Sequence, residues 1–274
     1  MKQEGIRFSS LPVLQGIETV CGNSISNEIR PHIHKTYIIG IVEQGKRVIK
    51  YSDEIVTIPQ NDIFIINPGQ VHSCGSGDQT EHSYKFLCVN PASVITIGSQ
   101  ISGQAERGPY FGNIHYSCPD ITRKIRHFFA IHDDSSASTL EKESLIYSIL
   151  TETILAFADY PPPIYDVGKQ NASVERVCNF IRKHYSENLS LGELSKIACL
   201  SPFHFQRVFT KEIGISPHNY LMHYRIGKAR KKLLKTGYIA ETATETGFAD
   251  QSHFSKKFKQ IVGINPGRYL KISL

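Results

Sequence analysis

Three histidines in the first third of the chain have the residue type and the spacing of a ligand or metal site. His32 and His34 are separated by one residue, so both side chains would lie on the same face of a strand. His72 follows a turn signal at Asn67-Pro68-Gly69, and a strand that pairs after this turn would bring it opposite the first two. Three imidazoles can hold a metal ion, hydrogen-bond a small ligand, or simply be satisfied inside a core. The sequence leaves these three roles open.

A second set of side chains, in the last third, has the chemistry of DNA base recognition. From a helix in the major groove, Arg can donate a pair of hydrogen bonds to guanine, and Gln can pair with adenine. One predicted helix turns outward Phe203, His204, Gln206, Arg207 and Lys211. Another turns outward Gln251, Ser252, His253, Lys256 and Lys257. The chain is therefore expected to have two base-reading helices.

The first base-reading helix is the second element of a predicted helix-turn-helix. A capping box at Ser190 and Glu193 begins the preceding helix. Ser201 then caps the reading helix, whose first position is Pro202, and Gly214 ends it as a left-handed cap. Two helices joined by a turn of three to four residues have the form of this motif.

The motif is repeated. Residues 193–221 recur at 242–270 with an offset of 49, and Asp250 is the cap of the second reading helix. Eight positions of the first copy are identical in the second: His204, Phe205, Phe209, Gly214, Ile215, Pro217, Tyr220 and Leu221. This predicts one supersecondary element used twice. Between the copies, residues 217–237 predict one helix, with basic residues for DNA phosphates at Arg225, Lys228, Arg230, Lys231, Lys232 and Lys235.

The charge balance points to a nucleic-acid partner for the same region. Residues 1–170 contain 14 Lys and Arg against 18 Asp and Glu, a net charge of −4, whereas residues 171–274 contain 17 against 7, a net charge of +10. Neutralising phosphates releases condensed counterions, so this surplus is typical of a DNA-binding domain. A repeat that merely stacks would explain the apolar positions but not the cationic exposed faces.

The preceding part of the chain is predicted to be β-rich and to end in two helices. Five segments rich in β-branched and aromatic residues, separated by turn signals such as Ser52-Asp53, predict a small sandwich or barrel: Tyr37–Val42, Arg47–Tyr51, Ile55–Ile58, Ile63–Ile66 and Tyr84–Val89. In the last segment, Tyr84, Phe86 and Cys88 share one face. Apolar residues at helical spacing predict helices over 121–132 and 141–158, whose stripes could pack on a sheet, on each other or on a second copy of the chain.

A boundary between two domains is predicted at Pro161-Pro162-Pro163, where the composition changes most sharply. The expected domains are residues 1–160 and 173–274, with a linker at 161–172. No apolar run approaches the roughly 18 residues of a membrane helix, and residues 1–5 lead into no signal-peptide core. The six cysteines form no Cys-x-x-Cys pair and are expected to be reduced thiols. A cytoplasmic protein without a membrane partner is expected.

The most specific segment of the repeat reads Gly247-Phe248-Ala249-Asp250-Gln251-Ser252-His253-Phe254-Ser255-Lys256-Lys257-Phe258-Lys259, followed by Gly263-Ile264-Asn265-Pro266. With the stretch from Ile181 to Leu270 it resembles the signature of AraC/XylS-type transcription regulators. The resemblance implies two helix-turn-helix units that are bridged by a long helix and read adjacent major-groove segments, and usually an activator that contacts RNA polymerase. Thr242, Thr244 and Thr246 stand where the family usually has larger apolar residues, so a less well packed second unit is expected.

Residues 30–90 resemble the cupin-like sensor barrel common in this family, through Arg30-Pro31-His32-Ile33-His34 and His72. The expected effector-binding residues are His32, His34, Tyr37, His72, Tyr84 and Phe86. Enzymatic cupins usually add a Glu shortly after the paired histidines, where this chain has Tyr37, Ile38 and Ile39. No catalytic residue, resident metal or cofactor is therefore predicted. Cys74 and His82 have residue types that would extend a metal site, but their loop conformation cannot be inferred.

These observations predict an α+β protein of two domains. The first is a cupin-like β-barrel with two following helices, and the second is an all-α domain with two helix-turn-helix units joined by a long helix. The predicted function is a sequence-specific DNA-binding transcription regulator, an activator and homodimer that responds to a small-molecule effector. The partners are double-stranded DNA, RNA polymerase and that effector. The alternative is a cupin metalloenzyme tethered to a DNA-binding module.

Overall fold

The computed structural model describes residues 5–11, 16–51, 54–78, 80–105, 107–164 and 170–273. The chain divides into two compact units, a β-rich unit of residues 1–129 and 148–165 and a helical unit of residues 130–147 and 166–274. The boundary between functional domains at 161–172 stays a prediction. The compact units differ from the predicted domains because residues 130–147 belong to the helical unit. Ser52-Asp53 and residues 165–169 of the linker lie outside the described residues.

The β-rich unit contains two antiparallel sheets. The strands are β1 (Gly5–Leu11), β2 (Ile17–Ile25), β3 (Ile29–His32), β4 (Tyr37–Gln44), β5 (Arg47–Tyr51), β6 (Glu54–Ile58), β7 (Ile63–Ile66), β8 (His72–Gly75), β9 (His82–Val89) and β10 (His115–Tyr116). One sheet has the order β1-β2-β9-β4-β7-β10 and the other β3-β8-β5-β6. The predicted barrel is therefore corrected to two separate sheets, which no ladder among the described residues closes into one barrel.

All five predicted strands are present, as β4, β5, β6, β7 and β9, within two residues of the expected bounds. Their inward residues form the core, with Ile38, Ile49 and Phe64 almost fully buried. The expected shared face of Tyr84, Phe86 and Cys88 is confirmed, since all three contribute to this core.

Three helices follow the strands: α1 (Pro91–Ser102), α2 (Pro119–Ile131) and α3 (Thr139–Phe157). The predicted helices over 121–132 and 141–158 correspond to α2 and α3. Their apolar stripes are buried within the chain, as the exposures of 0% for Ile125 and Ile149 indicate. By the division into compact units, the first half of α3 belongs to the helical unit and the second half to the β-rich unit. No helix within the described ranges is both long and apolar enough to cross a membrane.

The helical unit continues with seven helices after the linker region: α4 (Asn171–His184), α5 (Leu191–Ala198), α6 (Pro202–Ile213), α7 (Pro217–Thr236), α8 (Ile239–Glu245), α9 (Gln251–Val262) and α10 (Pro266–Ser273). The pairs α5–α6 and α8–α9 are the two predicted helix-turn-helix units, and α7 is the predicted bridging helix. A single core joins both copies, with Phe205 and Phe209 from the first and Phe254 and Phe258 from the second fully buried.

The caps of the first unit are those that its sequence predicts. Ser190 and Glu193 form a reciprocal capping box, and the hydroxyl of Ser201 accepts a hydrogen bond from the backbone of His204. Gly214 has a φ of 83°, a left-handed conformation that glycine adopts without steric strain because it has no Cβ. In the second unit, the Asp250 carboxylate accepts from the backbone of His253. These caps fix where each reading helix begins.

The threonines before the second unit lie in two environments. Thr242 and Thr246 are buried, whereas Thr244 is exposed. The Thr246 hydroxyl donates to the backbone carbonyl of Thr242 at 2.6 Å. The Thr242 hydroxyl is buried without a hydrogen-bond partner among the described residues. The expected weaker packing of the second unit thus has a local counterpart in α8, while Phe254 and Phe258 stay fully enclosed.

Arg225 does not belong to the phosphate-binding set predicted for the bridging helix. It is 3% exposed, and its guanidinium donates to the backbone carbonyls of Tyr185 at 2.6 Å and Glu187 at 2.7 Å. Burial lowers the pKa of Arg225 to about 10, so the group stays charged at neutral pH. It therefore holds the chain after α4 against α7. The helical spacing of apolar residues predicts that Ile213 and Leu234 pack inside the unit, but they are 36% and 41% exposed, which corrects that prediction.

We expect Arg225→Met to lower the free energy of unfolding of the helical unit by about 2–4 kcal/mol, because two buried carbonyls would lose charge-assisted donors. Calorimetry of the full chain would measure the loss as a lower melting temperature. Lys231→Met is the matched control, since Lys231 is exposed on the same helix. A variant that melts like the wild type but binds DNA more weakly would instead assign Arg225 to phosphate contact.

Candidate functional site

The three predicted histidines lie together at one cavity of the β-rich unit. β3 pairs with β8 so that His32 stands directly opposite His72, as the turn signal before His72 predicts. β3 ends at His32, so His34 reaches the cluster from the segment after the strand rather than from the same strand. The Nε2 atoms of His32 and His34 are 3.1 Å apart, and the ring centroids of His32 and His72 are 4.3 Å apart.

Backbone carbonyls assign the tautomers of two of these rings. His32 Nδ1 donates to the carbonyl of Arg30 at 2.8 Å, and His72 Nδ1 donates to the carbonyl of Gln70 at 2.9 Å. A neutral imidazole that donates from Nδ1 has a lone pair on Nε2. His32 and His72 therefore both offer acceptor or ligand atoms, and His34 Nε2 lies close enough to His32 Nε2 to donate to it.

This donor set could hold a transition-metal ion. One ligand atom from each of His32, His34 and His72 can be chosen so that all three lie within 4.8 Å of one another. Three imidazoles, two of which donate from Nδ1 to backbone carbonyls, are a chemically suitable ligand set for zinc, whose fourth coordination position would stay open. No Asp or Glu is among the described residues that line the cavity.

The cavity has a volume of about 140 Å³ and is mostly apolar. Beside the histidines, its polar lining consists of Arg47, Cys74 and Tyr84. The apolar lining comes from both sheets and includes Ile6, Phe8, Val20, Ile29, Ile38, Phe64, Ile66 and Phe86. Tyr84 and Phe86 thus lie where the sequence predicts them. Tyr37 does not line the cavity; its hydroxyl donates to the carbonyl of Pro109 at 2.7 Å.

Arg47 is the cavity residue that sequence reasoning missed. It begins β5 and is 3% exposed. Its guanidinium lies 4.0 Å from the ring centroid of Tyr84, donates to His82 Nε2 at 3.1 Å and to Cys74 Sγ at 2.8 Å. Its Nε has no hydrogen-bond acceptor among the described residues. The inward position of Arg47 was visible in the alternation with Ile49, but a basic residue at a strand start usually lies in solvent.

The partners of Arg47 are uncharged at neutral pH. Burial, followed by the nearby guanidinium, lowers the pKa of His82 to about 4. Burial raises the pKa of the Cys74 thiol, against a smaller opposing effect of Arg47, and also raises the pKa of Tyr84. A guanidinium keeps its positive charge under all these conditions. Cys74 and His82 therefore act as supports of Arg47 rather than as members of the histidine cluster.

The same cation acts on the histidine cluster. Burial is the main cause that lowers the pKa of His72 to about 4; the charges of His32, His34 and Arg47 act in the same direction, and the hydrogen bond to the Gln70 carbonyl opposes them. Burial also lowers the pKa of His34, with His32 and Arg47 as further causes. Both rings are therefore neutral at pH 7, the state in which imidazole nitrogens accept hydrogen bonds or bind metal.

The Tyr84 ring that covers Arg47 depends on a glycine of the neighbouring strand. A Cβ at Gly22 would lie 2.4 Å from Tyr84 Cζ and 2.8 Å from the Tyr84 hydroxyl oxygen. Contacts under 3.0 Å require the ring to shift. Gly22 on β2 pairs with Tyr84 on β9, so the absence of a side chain at this position allows the ring to lie flat against the strand.

The predicted DNA-reading residues divide by exposure. Arg207 and Lys211 on α6, and Gln251, Ser252 and Lys256 on α9, are exposed, as is Lys231 on α7. Gln206, His253 and Lys257 are half-buried. Phe203 and His204 are 7% and 5% exposed, so their predicted outward position is wrong. The first turn of α6 is covered by other parts of the unit, which a helical wheel of α6 alone does not reveal.

Residues of α3 that belong to the helical unit contact two of the half-buried residues. The Gln206 side chain donates to the carbonyl of Ser144 at 3.2 Å. Lys257 Nζ lies 3.2 Å from the carboxylate of Glu141, which is 8% exposed and also lies 3.5 Å from His218 Nε2. Burial lowers the pKa of His218 to about 4, so the charge partner of Glu141 in this cluster is Lys257.

We expect the stability of the β-rich unit to fall as the pH falls from about 6.5 to about 4. The native unit takes up a proton at His82 only near pH 4, whereas the unfolded chain does so near 6.5. In this window the unfolded state binds more protons, so the free energy of unfolding decreases as the pH is lowered. Urea unfolding at pH 7, 6 and 5 would measure the slope for the wild type.

The matched variants for this titration are His82→Gln and His127→Gln. His82→Gln should flatten the pH dependence, because it removes a group whose pKa differs between the two states. His127 is exposed on α2, and its replacement should leave the slope unchanged. Equal slopes for the wild type and His82→Gln would mean that the pKa of His82 does not differ between the native and unfolded states.

Comparison with known proteins accounts for both units. Residues 16–150 match the model of the AraC-like ligand-binding domain, and residues 194–272 match that of a helix-turn-helix domain. The HTH-type transcriptional regulator YbfI of Bacillus subtilis is 32% identical over 237 residues, which cover 86% of this chain and 85% of that protein. The lactose operon transcription activator of Staphylococcus xylosus is 21% identical, over 85% of this chain and 82% of that protein.

Among solved structures, the C-terminal domain of the response regulator AraT from Geobacillus stearothermophilus is 32% identical and covers 38% of this chain and 88% of that one, with a TM-score of 0.36. The two domain matches do not overlap, and they follow the order of the β-rich and the helical elements. Together with the extent of the similarity to YbfI, they show that this chain belongs to the AraC/XylS family of DNA-binding transcriptional regulators.

Proposed function

We propose that the chain is a cytoplasmic transcription activator whose β-rich unit binds a small-molecule effector and whose helical unit reads an operator. The observation that carries the effector proposal is the cavity that contains His32, His34, His72 and the buried Arg47. Apolar walls with a few convergent polar groups are the usual form of a small-molecule site. The proposed functional domains are residues 1–160 and 173–274, joined by the linker at 161–172.

We assign base reading to the polar residues at the surface of α6 and α9. Arg207 on α6 and Gln251 on α9 have the donor geometry for guanine and adenine edges. Lys231 on α7 is assigned to a phosphate, since a lysine at the surface of the bridging helix can neutralise the backbone but carries no sequence information. Phe203 and His204 are assigned to packing because they are buried.

Regulation is proposed to act through α3. In the arrangement described above, Glu141 pairs with Lys257, and Ser144 accepts from Gln206. Lys257 and Gln206 both belong to the set of residues predicted to contact DNA. An effector that stabilises a different position of α3 would release them, because a ligand shifts an equilibrium by its differential affinity for the two states. The effector then changes DNA affinity without touching the DNA.

Two protein partners complete the proposal. Activation is proposed to act through contact with RNA polymerase, and the similarity to the lactose operon transcription activator of Staphylococcus xylosus supports the assignment as an activator. A homodimer is proposed as the form that binds the operator. Because the stripes of α2 and α3 are buried within the chain, the dimer contact would use another surface. Sedimentation of the full chain with and without DNA tests the dimer.

The alternative function is a cupin metalloenzyme tethered to a DNA-binding module. The histidine cluster favours it, since three imidazoles can hold a catalytic metal. The relatives are named as transcriptional regulators, which supports the regulator without enzymatic activity. Metal analysis of the purified full chain distinguishes the two, because an enzyme of this kind requires near-stoichiometric metal.

We expect Arg207→Ala to weaken binding to a selected operator by about 1–3 kcal/mol and to leave binding to random duplex nearly unchanged. Lys231→Ala should weaken both by the same factor and lower the slope of log affinity against log salt by about one. Fluorescence titrations of the full chain at several salt concentrations measure both quantities. If the two variants change operator and random DNA equally, Arg207 does not read bases.

We expect Glu141→Gln to raise the affinity of the unliganded chain for DNA by about two- to fivefold at 0.1 M salt, because Lys257 would become available to a phosphate. The salt slope should become steeper by about one. Glu152→Gln removes the same charge from the same helix, where it pairs with Lys124, and is the control. A lower melting temperature with unchanged DNA affinity would make the Glu141 contact purely structural.

A further inference from the structure

The cavity of the β-rich unit contains a positive charge that its own lining does not balance. Arg47 is 3% exposed, and the groups that contact its guanidinium are an imidazole, a thiol and aromatic rings. No Asp or Glu is among the described residues that line this cavity. Arg47 Nε has no acceptor among the described residues. A buried cation in such surroundings is stabilised when an anion with hydrogen-bond acceptors joins it.

The form of the guanidinium indicates which anion fits. Its planar fork of donors matches a carboxylate, which can accept two hydrogen bonds side by side. The other walls are aliphatic and aromatic, with Val20, Phe64 and Ile66 among them. They suit an apolar body rather than a sugar or a nucleotide. The cavity volume of about 140 Å³ is close to that of protein cavities that bind benzene, about 150 Å³.

The same charge decides between an anion and a metal ion at the histidine cluster. A divalent cation at His32, His34 and His72 would add positive charge near Arg47, with no carboxylate in the described lining to compensate it. Coulomb repulsion between the two cations would oppose metal binding, because Arg47 and His72 are buried and water screens their charges little. The Nε2 lone pair of His72 can instead accept a hydrogen bond from a polar atom of an organic ligand.

We propose that the effector is a small monocarboxylic acid with an apolar body, and that its carboxylate pairs with Arg47. This inference rests on the proposed role of the cavity as the effector site. It adds the chemical class of the effector and the residue that selects it. Arg47 then has two states, with its Nε unpaired when the cavity is empty and paired when the acid is bound.

The test uses the full chain and four acids of increasing size: acetate, butanoate, hexanoate and benzoate. Each is compared with its uncharged amide by calorimetric titration and by thermal shift at pH 7. At least one acid should bind at least tenfold more tightly than its amide and should raise the melting temperature. Arg47→Met should remove this preference, and Arg47→Lys should retain part of it. Lys46→Met is the matched control, since it removes a positive charge from the exposed neighbour.

The melting temperature of Arg47→Met also tests the proposal without any ligand. Replacing an unbalanced buried charge by an apolar side chain of similar length should leave the melting temperature unchanged or raise it. The proposal is overturned if none of the acids binds more tightly than its amide, or if the acid preference survives in Arg47→Met. If neutral compounds bind and change operator affinity equally in the wild type and Arg47→Met, the carboxylate assignment is wrong, but the proposed function as an effector-responsive regulator is supported. If the wild type fails to bind any operator, the proposed function itself is wrong.

Discussion

A guanidinium that is removed from water needs acceptors for its hydrogen bonds and a compensating negative charge or dipole, and the interior of each unit depends on how this requirement is met. In the helical unit, two backbone carbonyls satisfy Arg225 at 2.6 and 2.7 Å. In the β-rich unit, Arg47 has only neutral partners and an unpaired Nε among the described residues. The hydrogen bonds of Arg225 thus serve the structure of the helical unit. Arg47 has a donor left that a ligand could use.

The strands of the β-rich unit are arranged around this second cation. β5 supplies Arg47, β8 supplies Cys74, and β9 supplies His82 and Tyr84, so residues distant in the chain meet at one charge. The same charge contributes to keeping His72 neutral, together with burial. For His34 and His72, the charge of Arg47 and burial act in the same direction, since both lower the pKa and keep the imidazoles neutral. For Cys74 and Tyr84, burial raises the pKa against an opposing effect of Arg47.

The sequence predicts the parts of this protein whose signals are local. Capping residues such as Ser190 and Asp250 determine helix starts within one turn, and strands such as β5 and β7 are rich in β-branched and aromatic residues. Strand β8 has no apolar alternation over His72–Gly75, so only the turn signal before it indicated a pairing strand. Helix α1 was not predicted because its β-branched residues obscure the helical period. The exposure of a side chain depends on the neighbouring elements as well. For this reason Phe203, His204 and Arg225 were predicted to lie in solvent, and the role of Arg47 was not foreseen.

A single substitution at Gly22 would change the ligand specificity of the cavity. Since any side chain there must displace the Tyr84 ring from its place beside Arg47, one mutation at this codon would alter the volume of the cavity and uncover the cation at the same time. Size selection and charge selection would therefore change together rather than independently. Duplicated genes of this type could diverge in the acids they sense through a single small residue on β2, while the DNA-reading helices, encoded far downstream, kept their operator.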